Sequence, residues 1–474
     1  MREEREALMR IRVQVIIESD QETAPAYVEE VACFERGPLS PETLGLRLCE
    51  AKQMLATVQQ IMTAHQVEDY VEQQRQCLHC QQPLTCKGHH QIGMRTLFGK
   101  LTIESPRLYT CACRSLKKQS WSPVAALFSE RSTPELLCLE VRWASLMSYG
   151  LTVGLLSDLL PMEHQLSTST VSRHVHQVAE RLEEELGNEQ PSFIKGCPTQ
   201  WYALPEPDAP LTVSLDGGYV HGRSKDRRKD GSFEVIVGKS TTGEGNMTSF
   251  GLVFGYDTKP RRRLFEVLQS QGMQMNQAVT FLTDGGDTVR DLTDGLNPLA
   301  EHILDWFHIT MRLTVLGQMA KGVPVEHKGE EFEQELERVK WFLWHSNVYK
   351  ALQVLEWLEL DIDAEASPEA RKLARTLHEL DHYIRTNQSS IPNYGDRYRN
   401  GEPISSALAE SSVNQMISKR FVKKQQMRWT KRGAHLLLQV RARVLDDTLT
   451  TTFQRWYPGL GAQDFSQESV LEAS

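Results

Sequence analysis

The chain has 474 residues, of which 40% are hydrophobic and 24% are charged, with a formal net charge of −9 at pH 7. That length is enough for two to four domains, each with its own core. No apolar run reaches the length of a membrane span, and the charged N-terminal segment MREEREALMRIRVQVIIESDQ is not typical of a secretory signal. We therefore expect a cytoplasmic protein with no membrane partner. Because the chain as a whole is acidic, it can bind nucleic acid only through local basic patches.

Residues 1–75 are predicted to be a helical region. Leu, Met, Val and Ile recur at helical spacing up to Gln76, and Ser40 followed by Pro41 is a favourable helix start. This region carries no residue pattern typical of a catalytic or metal site. We interpret it as an accessory region.

Residues 76–125 are predicted to form a zinc-ribbon-like module. The pairs Cys77/Cys80 and Cys111/Cys113 stand on either side of a strand-like segment, and together they can give one tetrahedral zinc ion four thiolates. The second pair is C-x-C rather than C-x-x-C. Alternative ligands lie between the pairs, and unrelated buried thiols are the other interpretation. The alternative ligands are Cys86, His89 and His90.

Residues 126–195 are predicted to be a helical, helix-turn-helix-like DNA-binding region. TVGLLSDLLP indicates a short apolar helix, and STSTVSRHVHQVAERLEEEL indicates a second helix that Ser167 or Thr168 can cap. A plain helical hairpin is the alternative. In a helix-turn-helix, the polar start of the second helix would face DNA, through Ser169, Thr170, Arg173 and His174.

From residue 205 the hydrophobic period changes to that of strands. The segments LTVSLDGG, FEVIVGKST and TSFGLVFGYD read as three strands, and a helix, the strand AVTFLTDGG, a helix and the strand HILDWFHI follow. Residues 309–400 have helical periods only and are predicted to be an all-α insertion. We therefore predict an α/β core from residues 205–308 and 401–450, and a disordered tail at 457–474.

Two of the predicted strands end in the same way, with Asp and then Gly-Gly, at Asp216 and Asp284. The first and fourth strands are neighbours in the ribonuclease H-like fold. That fold also takes a third carboxylate from a late helix, for which Glu410 is the candidate. Asn414 lies one helical turn further on, along the same face. Three carboxylates at one place suit two Mg²⁺ ions and phosphoryl transfer. Taken singly, each acid is more typical of a turn or a surface. In TDGGDTVRD we assign metal binding to Asp284 and helix capping to Asp287.

The chain resembles the DDE transposases of bacterial insertion sequences, most closely the Kra-type group and more distantly the L3-type group. The resemblance covers roughly residues 75–450 and is carried by CLHC…YTCAC, VSLDGGYVHGR, FLTDGG, LDWFHITMRL, ISSALAESSVNQMISKRF and MRWTKRGAHLLLQVRA. It implies a triad of Asp216, Asp284 and Glu410, with Asp305 and His308 as a supporting D-x-x-H pair. It also implies two Mg²⁺ or Mn²⁺ ions, transposon-end and target DNA as partners, at least a homodimer on DNA, and a location at the bacterial nucleoid.

Basic residues give this function a DNA-binding surface. Between residues 419 and 432 there are seven Lys or Arg and no acid, and HGRSKDRRK follows Asp216. Phosphate contacts of this kind supply most nonspecific affinity for DNA, although a charge run can also be a solvated face. Trp429 can stack on an unpaired base or be an ordinary core residue. The predicted DNA-binding residues here are Arg223, Lys419, Arg420, Lys423, Lys424, Arg428, Trp429, Lys431 and Arg432.

Three functions fit these features. The favoured one is a transposase that frees a 3′-hydroxyl at the transposon end and joins it to target DNA. The second is a transposase-derived regulator that binds DNA with an idle site, and the third is a structure-specific nuclease on the same fold that cuts but never joins.

Overall fold

The computed structural model describes residues 9–18, 26–113, 119–128, 130–162, 166–223, 231–323, 329–364, 367–405, 414–421 and 428–460. The chain divides into two compact units. One consists of Met1–His174 with Thr450–Ser474, and the other of Val175–Leu449. Within the described ranges, no helix is both long and apolar enough to cross a membrane.

The first unit begins with a β-hairpin, so the prediction of a wholly helical N-terminal region is wrong. Strand β1 is Met9–Ile17 and strand β2 is Tyr27–Arg36, paired antiparallel. The segment RIRVQV alternates charged or polar residues with β-branched ones, a period of two that favours a strand. The helical prediction holds for α1, which is Leu48–Gln73. Its N-cap is Arg47, so the predicted helix start at Ser40–Pro41 is wrong.

A three-stranded antiparallel sheet follows α1. Its strands are β3 (Cys86–Thr96), β4 (Gly99–Tyr109) and β5 (Ser120–Trp121), and the short helix α2 (Pro123–Leu127) comes next. A small core joins the sheet to the two helices. Its buried members are Val71, Ile92, Met94, Ile103 and Val124.

Helices follow where the sequence predicts them. They are α3 (Pro134–Leu146), α4 (Tyr149–Leu159), α5 (Thr168–Glu185) and α6 (Pro198–Tyr202). The Ser148 hydroxyl accepts a hydrogen bond from the Leu151 amide and caps α4. The Ser167 hydroxyl accepts one from the Thr170 amide, at 3.2 Å, so Ser167 is the cap predicted for α5.

The second unit is built on a five-stranded mixed sheet in the order β10-β9-β6-β7-β8. The strands are β6 (Leu211–His221), β7 (Ser232–Thr241), β8 (Met247–Val253), β9 (Val279–Thr283) and β10 (Ala300–Leu304). β6 is antiparallel to β7 and parallel to β9. Helix α7 (Pro260–Ser270) precedes β9, and α8 (Asp287–Thr293) follows it. The predicted succession of strands and helices is confirmed, except that the fifth strand ends at Leu304.

The sheet has two different faces, because side chains alternate along each strand. One face is apolar and carries Val213, Leu215, Ile236 and Phe281, which share a core with residues of α7 and α8. The other face carries Asp216, paired in register with Val237, which in turn pairs with Gly251. We call this second face the acidic face.

Helices fill the predicted insertion, and the described residues from 309 to 400 contain no strand. The helices are α9 (Trp306–Lys321), α10 (Gly329–Trp344), α11 (Val348–Asp361), α12 (Pro368–Thr386) and α13 (Tyr394–Arg399). Their shared core includes Leu282 of β9, which lies on the acidic face, so the insertion is packed on the sheet. Trp306 contacts the rings of Trp344 and Tyr394 with centroids 5.0 and 4.8 Å away.

The chain returns to the sheet after the insertion. A π-helical turn covers Asn414–Ser418, a helical turn covers Lys419–Phe421, and α14 (Lys431–Leu445) follows. Helix α15 (Leu449–Trp456) ends the regular structure. In the predicted disordered tail, the Tyr457 hydroxyl donates a hydrogen bond to Glu130 at 2.9 Å, and residues 461–474 lie outside the described residues.

Candidate functional site

Two aspartates lie at the same level of the central sheet. The parallel register of β6 and β9 pairs Ser214 with Leu282. Asp216 and Asp284 each lie two residues beyond that pair, so both belong to the acidic face and stand at adjacent strand positions. Both residues are half-buried. The structure therefore brings together the two acids that the sequence singles out.

The turn after Asp284 requires glycine. Gly285 has a φ of +83°, and a Cβ atom on it would lie 2.6 Å from Leu304 Cδ1 and 2.8 Å from Asn387 Oδ1. The Tyr383 hydroxyl of α12 donates a hydrogen bond to the main-chain oxygen of Asp284 at 2.9 Å. The insertion thus holds this turn directly, and no other residue type fits at position 285 without strain.

The neighbouring Asp287 takes a different position from the one predicted. Helix α8 begins at Asp287 and its N-cap is Gly286, at a φ of −64°, so Asp287 is the first helical residue rather than the cap. The side chain of Asp287 lies outside the described residues. The Gly286 amide donates to Asp284 Oδ1 at 3.0 Å, which orients that carboxylate.

Asp305 and His308 belong to the same site. Asp305 is fully buried, and its side chain caps α9 by accepting from the Phe307 amide at 2.9 Å. Its own amide donates to the main-chain oxygen of Thr283, the last residue of β9. His308 Nε2 lies 3.7 Å from Asp305 Oδ2. The D-x-x-H pair is therefore the first turn of α9, directly after β10 and beside the end of β9, and is not part of a strand.

The acids of this site interact with one another. Burial raises the pKa of Asp216 above its ordinary value, and the negative charges of Asp284 and Asp305 raise it further. The charge of His308 and a hydrogen bond from the Gly217 amide oppose that rise. These groups are therefore close enough to share one electrostatic environment, and a cation placed among them would relieve the repulsion.

The Asn414–Ser418 turn packs on the same face. A Cβ atom on Gly251 would lie 3.1 Å from Met416 Cε and 3.4 Å from Leu438 of α14, so glycine permits this close packing. Arg441 Nε donates to the main-chain oxygens of Gln415 and Met416, each at 3.1 Å, and fixes the turn. Glu410 and the side chain of Asn414 lie outside the described residues.

The predicted basic surface divides into exposed and buried residues. Trp429 is 6% exposed, and its ring packs on Phe421, so the prediction that it contacts DNA is wrong. Arg420 is 2% exposed and lies 5.1 Å from the Trp429 ring, so it too is a core residue. Lys423 and Lys424 lie outside the described residues. The predicted residues that are exposed are Arg223, Lys419, Arg428, Lys431 and Arg432, the last paired with Glu180.

The main chain ties this basic segment to β6. The Trp429 amide donates to the His221 oxygen at 2.9 Å, and the Arg223 amide donates to the Trp429 oxygen at 2.8 Å. This pairing places Arg223 and Arg428 beside the end of the strand that carries Asp216. Both exposed arginines therefore lie at the end of β6 that follows Asp216.

In the first unit, the four predicted cysteines meet. Their sulfur atoms all lie within 4.8 Å of one another, with 3.5 Å between Cys77 and Cys113 and 3.4 Å between Cys80 and Cys111. A tetrahedron with zinc–sulfur bonds of about 2.3 Å has edges of about 3.8 Å, so this cluster can hold one zinc ion despite the C-x-C spacing. Cys86, the alternative ligand, is exposed on β3 outside the cluster.

The thiols of the cluster share protons unequally. Hydrogen bonds from the amides of Cys80 and His79 lower the pKa of Cys77 to about 6. Hydrogen bonds with Cys111, Cys77 and Cys80 raise the pKa of Cys113 to about 12. The close sulfur atoms therefore oppose ionisation of all four thiols together, and a bound dication would favour the thiolate form of each.

Four residues of α5 are predicted to face DNA. Of these, Ser169 and Arg173 are exposed and Thr170 is half-buried. His174 is 4% exposed, and its Nδ1 forms a short contact with the fully buried Glu140 of α3, so the prediction that it faces DNA is wrong. A histidine on the inner side of an amphipathic helix is expected to find a buried partner.

A second acidic cluster is occupied by an arginine. Glu183, Asp257 and His435 offer ligand atoms within 4.8 Å of one another. Arg263 lies among them, with its Nε 2.8 Å from Asp257 and its Nη2 2.9 Å from Glu183. Burial opposes ionisation of Glu183, but His435 and Arg263 outweigh it and lower its pKa to about 2. The guanidinium already supplies the cation that these acids need, so we interpret the cluster as a structural ion pair network.

Sequence reasoning missed two residues near the acidic site: Tyr383, which contacts the Asp284 turn, and Arg312, which contacts Tyr383. The guanidinium of Arg312 lies 4.1 Å from the centre of the Tyr383 ring. The signal for Arg312 was available in DWFHITMR, because Asp305, His308 and Arg312 share one face when the segment is helical. The strand interpretation of that segment hid the spacing. Tyr383 carries no local signal.

No protein-family model matches the chain, and no curated protein matches it in sequence. Among solved structures, the Drosophila P element transposase strand transfer complex is similar, with a TM-score of 0.31 and 10% identity over 69% of this chain and 96% of that chain. At these values the likeness carries no functional argument. The function has to be argued from the site.

Proposed function

We propose that this protein is a DDE-type DNA transposase that cuts transposon ends and joins the freed 3′-hydroxyl to target DNA. The observation that supports it best is the placement of Asp216 on β6 and of Asp284 just after the end of the neighbouring strand β9, with the Asn414–Ser418 turn packed on the acidic face. We also infer a ribonuclease H-like core, because the strand order places β6 between an antiparallel and a parallel neighbour.

The proposed metal ligands are Asp216, Asp284 and Glu410, whose oxygen donors suit Mg²⁺ or Mn²⁺. When bound there, two such ions stabilise the attacking and leaving oxygens of an in-line phosphoryl transfer. Around these ligands the chain's own residues fix the geometry: Tyr383 holds the Asp284 turn, and Asp305 orients His308. Burial raises the pKa of Tyr383 well above its ordinary value, so its hydroxyl remains a hydrogen-bond donor and is not a nucleophile.

DNA binding is proposed to come from several surfaces. The exposed cations Arg223, Arg428 and Lys431 would neutralise backbone phosphates near the acidic face. We propose that the cysteine cluster binds structural zinc, and that this module and Arg173 on α5 contact the transposon ends. Pairing two ends requires at least a dimer on DNA, and the expected location is the bacterial nucleoid.

The test uses short duplexes made from the DNA that flanks the coding sequence. Wild-type protein with Mg²⁺ should cut these duplexes and join them to a plasmid. Asp284→Asn should lose both reactions by orders of magnitude and keep DNA binding, because the exposed cations carry the binding. Glu410→Gln should behave in the same way. Asp287→Asn is the matched control in the same turn and should keep most activity.

The outcomes separate the three functions. Binding without cutting in the wild type would indicate an idle regulator, and cutting without joining would indicate a nuclease. If Asp287→Asn is inactive while Asp284→Asn is active, the ligand assignment in this turn is wrong.

A further inference from the structure

Arg312 is a cation placed beside the acidic site. It lies on α9 four residues after His308 and seven after Asp305, so the three side chains follow one face of the helix. The adjacent face of α9 is apolar and buried in the insertion core through Ile309, Leu313 and Leu316. Arg312 itself is exposed. Helix stability does not require an arginine at this exposed position, one turn after His308.

Tyr383 holds this arginine in place. The guanidinium lies over the ring at 4.1 Å, while the hydroxyl of the same ring donates to the main-chain oxygen of Asp284 at 2.9 Å. A single aromatic side chain therefore connects the cation to the turn that carries a proposed metal ligand. A guanidinium stacked on a ring keeps its edge N–H groups directed away from that ring.

The chemistry of that position favours a phosphate. In the proposed cleavage, the oxygen of water bonds to phosphorus and the bond from phosphorus to the 3′-oxygen breaks. The leaving oxygen ends as a 3′-hydroxyl, and the water loses the balancing proton. Negative charge grows on the non-bridging oxygens during this exchange, and a fixed guanidinium beside them lowers the barrier.

We propose that Arg312 binds a non-bridging oxygen of the phosphate that is cut and joined, and stabilises the charge that develops there. This inference rests on the proposed function, because it assigns a catalytic residue to the same site. Arg312 would then contact the substrate from the insertion, in addition to the three carboxylates. It also gives the insertion a direct part in the chemistry.

The experiment measures single-turnover cleavage at saturating full-length protein, together with the Kd of the same end duplex. Arg312→Gln should slow cleavage about 100-fold or more while changing the Kd less than about threefold, as expected for a contact made in the transition state. Arg375→Gln is the matched control. Arg375 is an exposed arginine of α12 paired with Glu379, and its replacement should leave both quantities unchanged.

A second substrate tests for contact with the phosphate itself. A methylphosphonate at the scissile position removes the charge of one non-bridging oxygen. The fall in cleavage rate caused by Arg312→Gln should therefore be far smaller on this substrate than on the natural phosphate. If Arg312 only supports the fold, its replacement should lower the cleavage rate equally on both substrates. That result would overturn the inference. If Arg312→Gln has the same thermal unfolding temperature as the wild type, the variant is folded. Arg312→Lys keeps the positive charge and should recover part of the cleavage rate.

These outcomes separate the two proposals. Mg²⁺-dependent cleavage that is lost in Asp284→Asn but unchanged in Arg312→Gln overturns the inference and leaves the proposed function standing. A wild-type protein that never cuts or joins overturns both.

Discussion

Replacing Gly285 by alanine tests how the Asp284 turn is held. The residue has a φ of +83°, and its Cβ position lies 2.6 Å from Leu304 Cδ1 and 2.8 Å from Asn387 Oδ1. A side chain at positive φ costs about 1–2 kcal/mol, and forcing a methyl group into occupied space costs about 1–3 kcal/mol. We therefore expect Gly285→Ala to destabilise the second unit by about 2–5 kcal/mol.

Hydrogen exchange of the β9 amides measures this loss directly. A loss of about 2 kcal/mol should accelerate their exchange about 30-fold where exchange follows unfolding. Amides of β3 and β4 in the same sample are the internal reference and should not change. Gly286→Ala is the matched control, because Gly286 has a φ of −64° and its Cβ position lies 3.3 Å from its nearest neighbour, Asp284 Oδ1.

Gly285→Ala should also abolish the proposed cleavage, since Asp284 precedes the altered residue. Equal β9 exchange in wild type and Gly285→Ala would refute the reasoning. The turn would then accept a side chain, and the close contacts with Leu304 and Asn387 would not hold the main chain in place.

Two further predictions concern the cysteine cluster and the buried ion pairs. Purified protein should carry about one zinc ion per chain. Cys80→Ser should lose the zinc and loosen residues 76–125, whereas Cys86→Ser should keep the zinc. Metal analysis that finds no zinc in the wild-type protein would contradict the prediction. Glu183→Gln should lower the free energy of unfolding of the second unit by about 2 kcal/mol at pH 7. Because the pKa of Glu183 is lowered in the fold, its contribution is present above pH 4.5 and declines toward pH 2, so the difference between wild type and variant should shrink between pH 6 and pH 3. If the stability difference between wild type and Glu183→Gln grows on acidification, the predicted direction of the pH dependence is wrong.

The order of strands and the two aspartates could be predicted from the sequence. Each strand begins as an apolar run that Asp-Gly-Gly follows. In β9 the strand ends just before this motif, but β6 continues through Gly217 and Gly218 to His221, so the predicted end of the first strand is wrong. Register then follows from the parallel pairing of these strands. Local pattern was enough here because the signal and the site lie in the same few residues.

Burial of polar and aromatic residues could not be predicted in the same way. His174, Arg420 and Trp429 look like DNA contacts by residue type, but partners distant in sequence bury them. The His174 contact comes from Glu140, thirty-four residues earlier. The type of a residue shows what it can bind, whereas tertiary packing decides whether solvent or DNA can reach it.

The packing of Met416 on Gly251 has a consequence for synthesis of the chain. Strands β6, β7 and β8 pair as successive hairpins and can form as soon as they emerge, but the turn that covers Gly251 follows about 160 residues later. At translation rates of about 5–20 residues per second that interval is about 10–30 s. During it, the sheet presents Val237 and its neighbours to solvent, so the nascent protein is a substrate for chaperones until α14 arrives. A ribosome that stops early would release an uncovered sheet, which is a target for degradation.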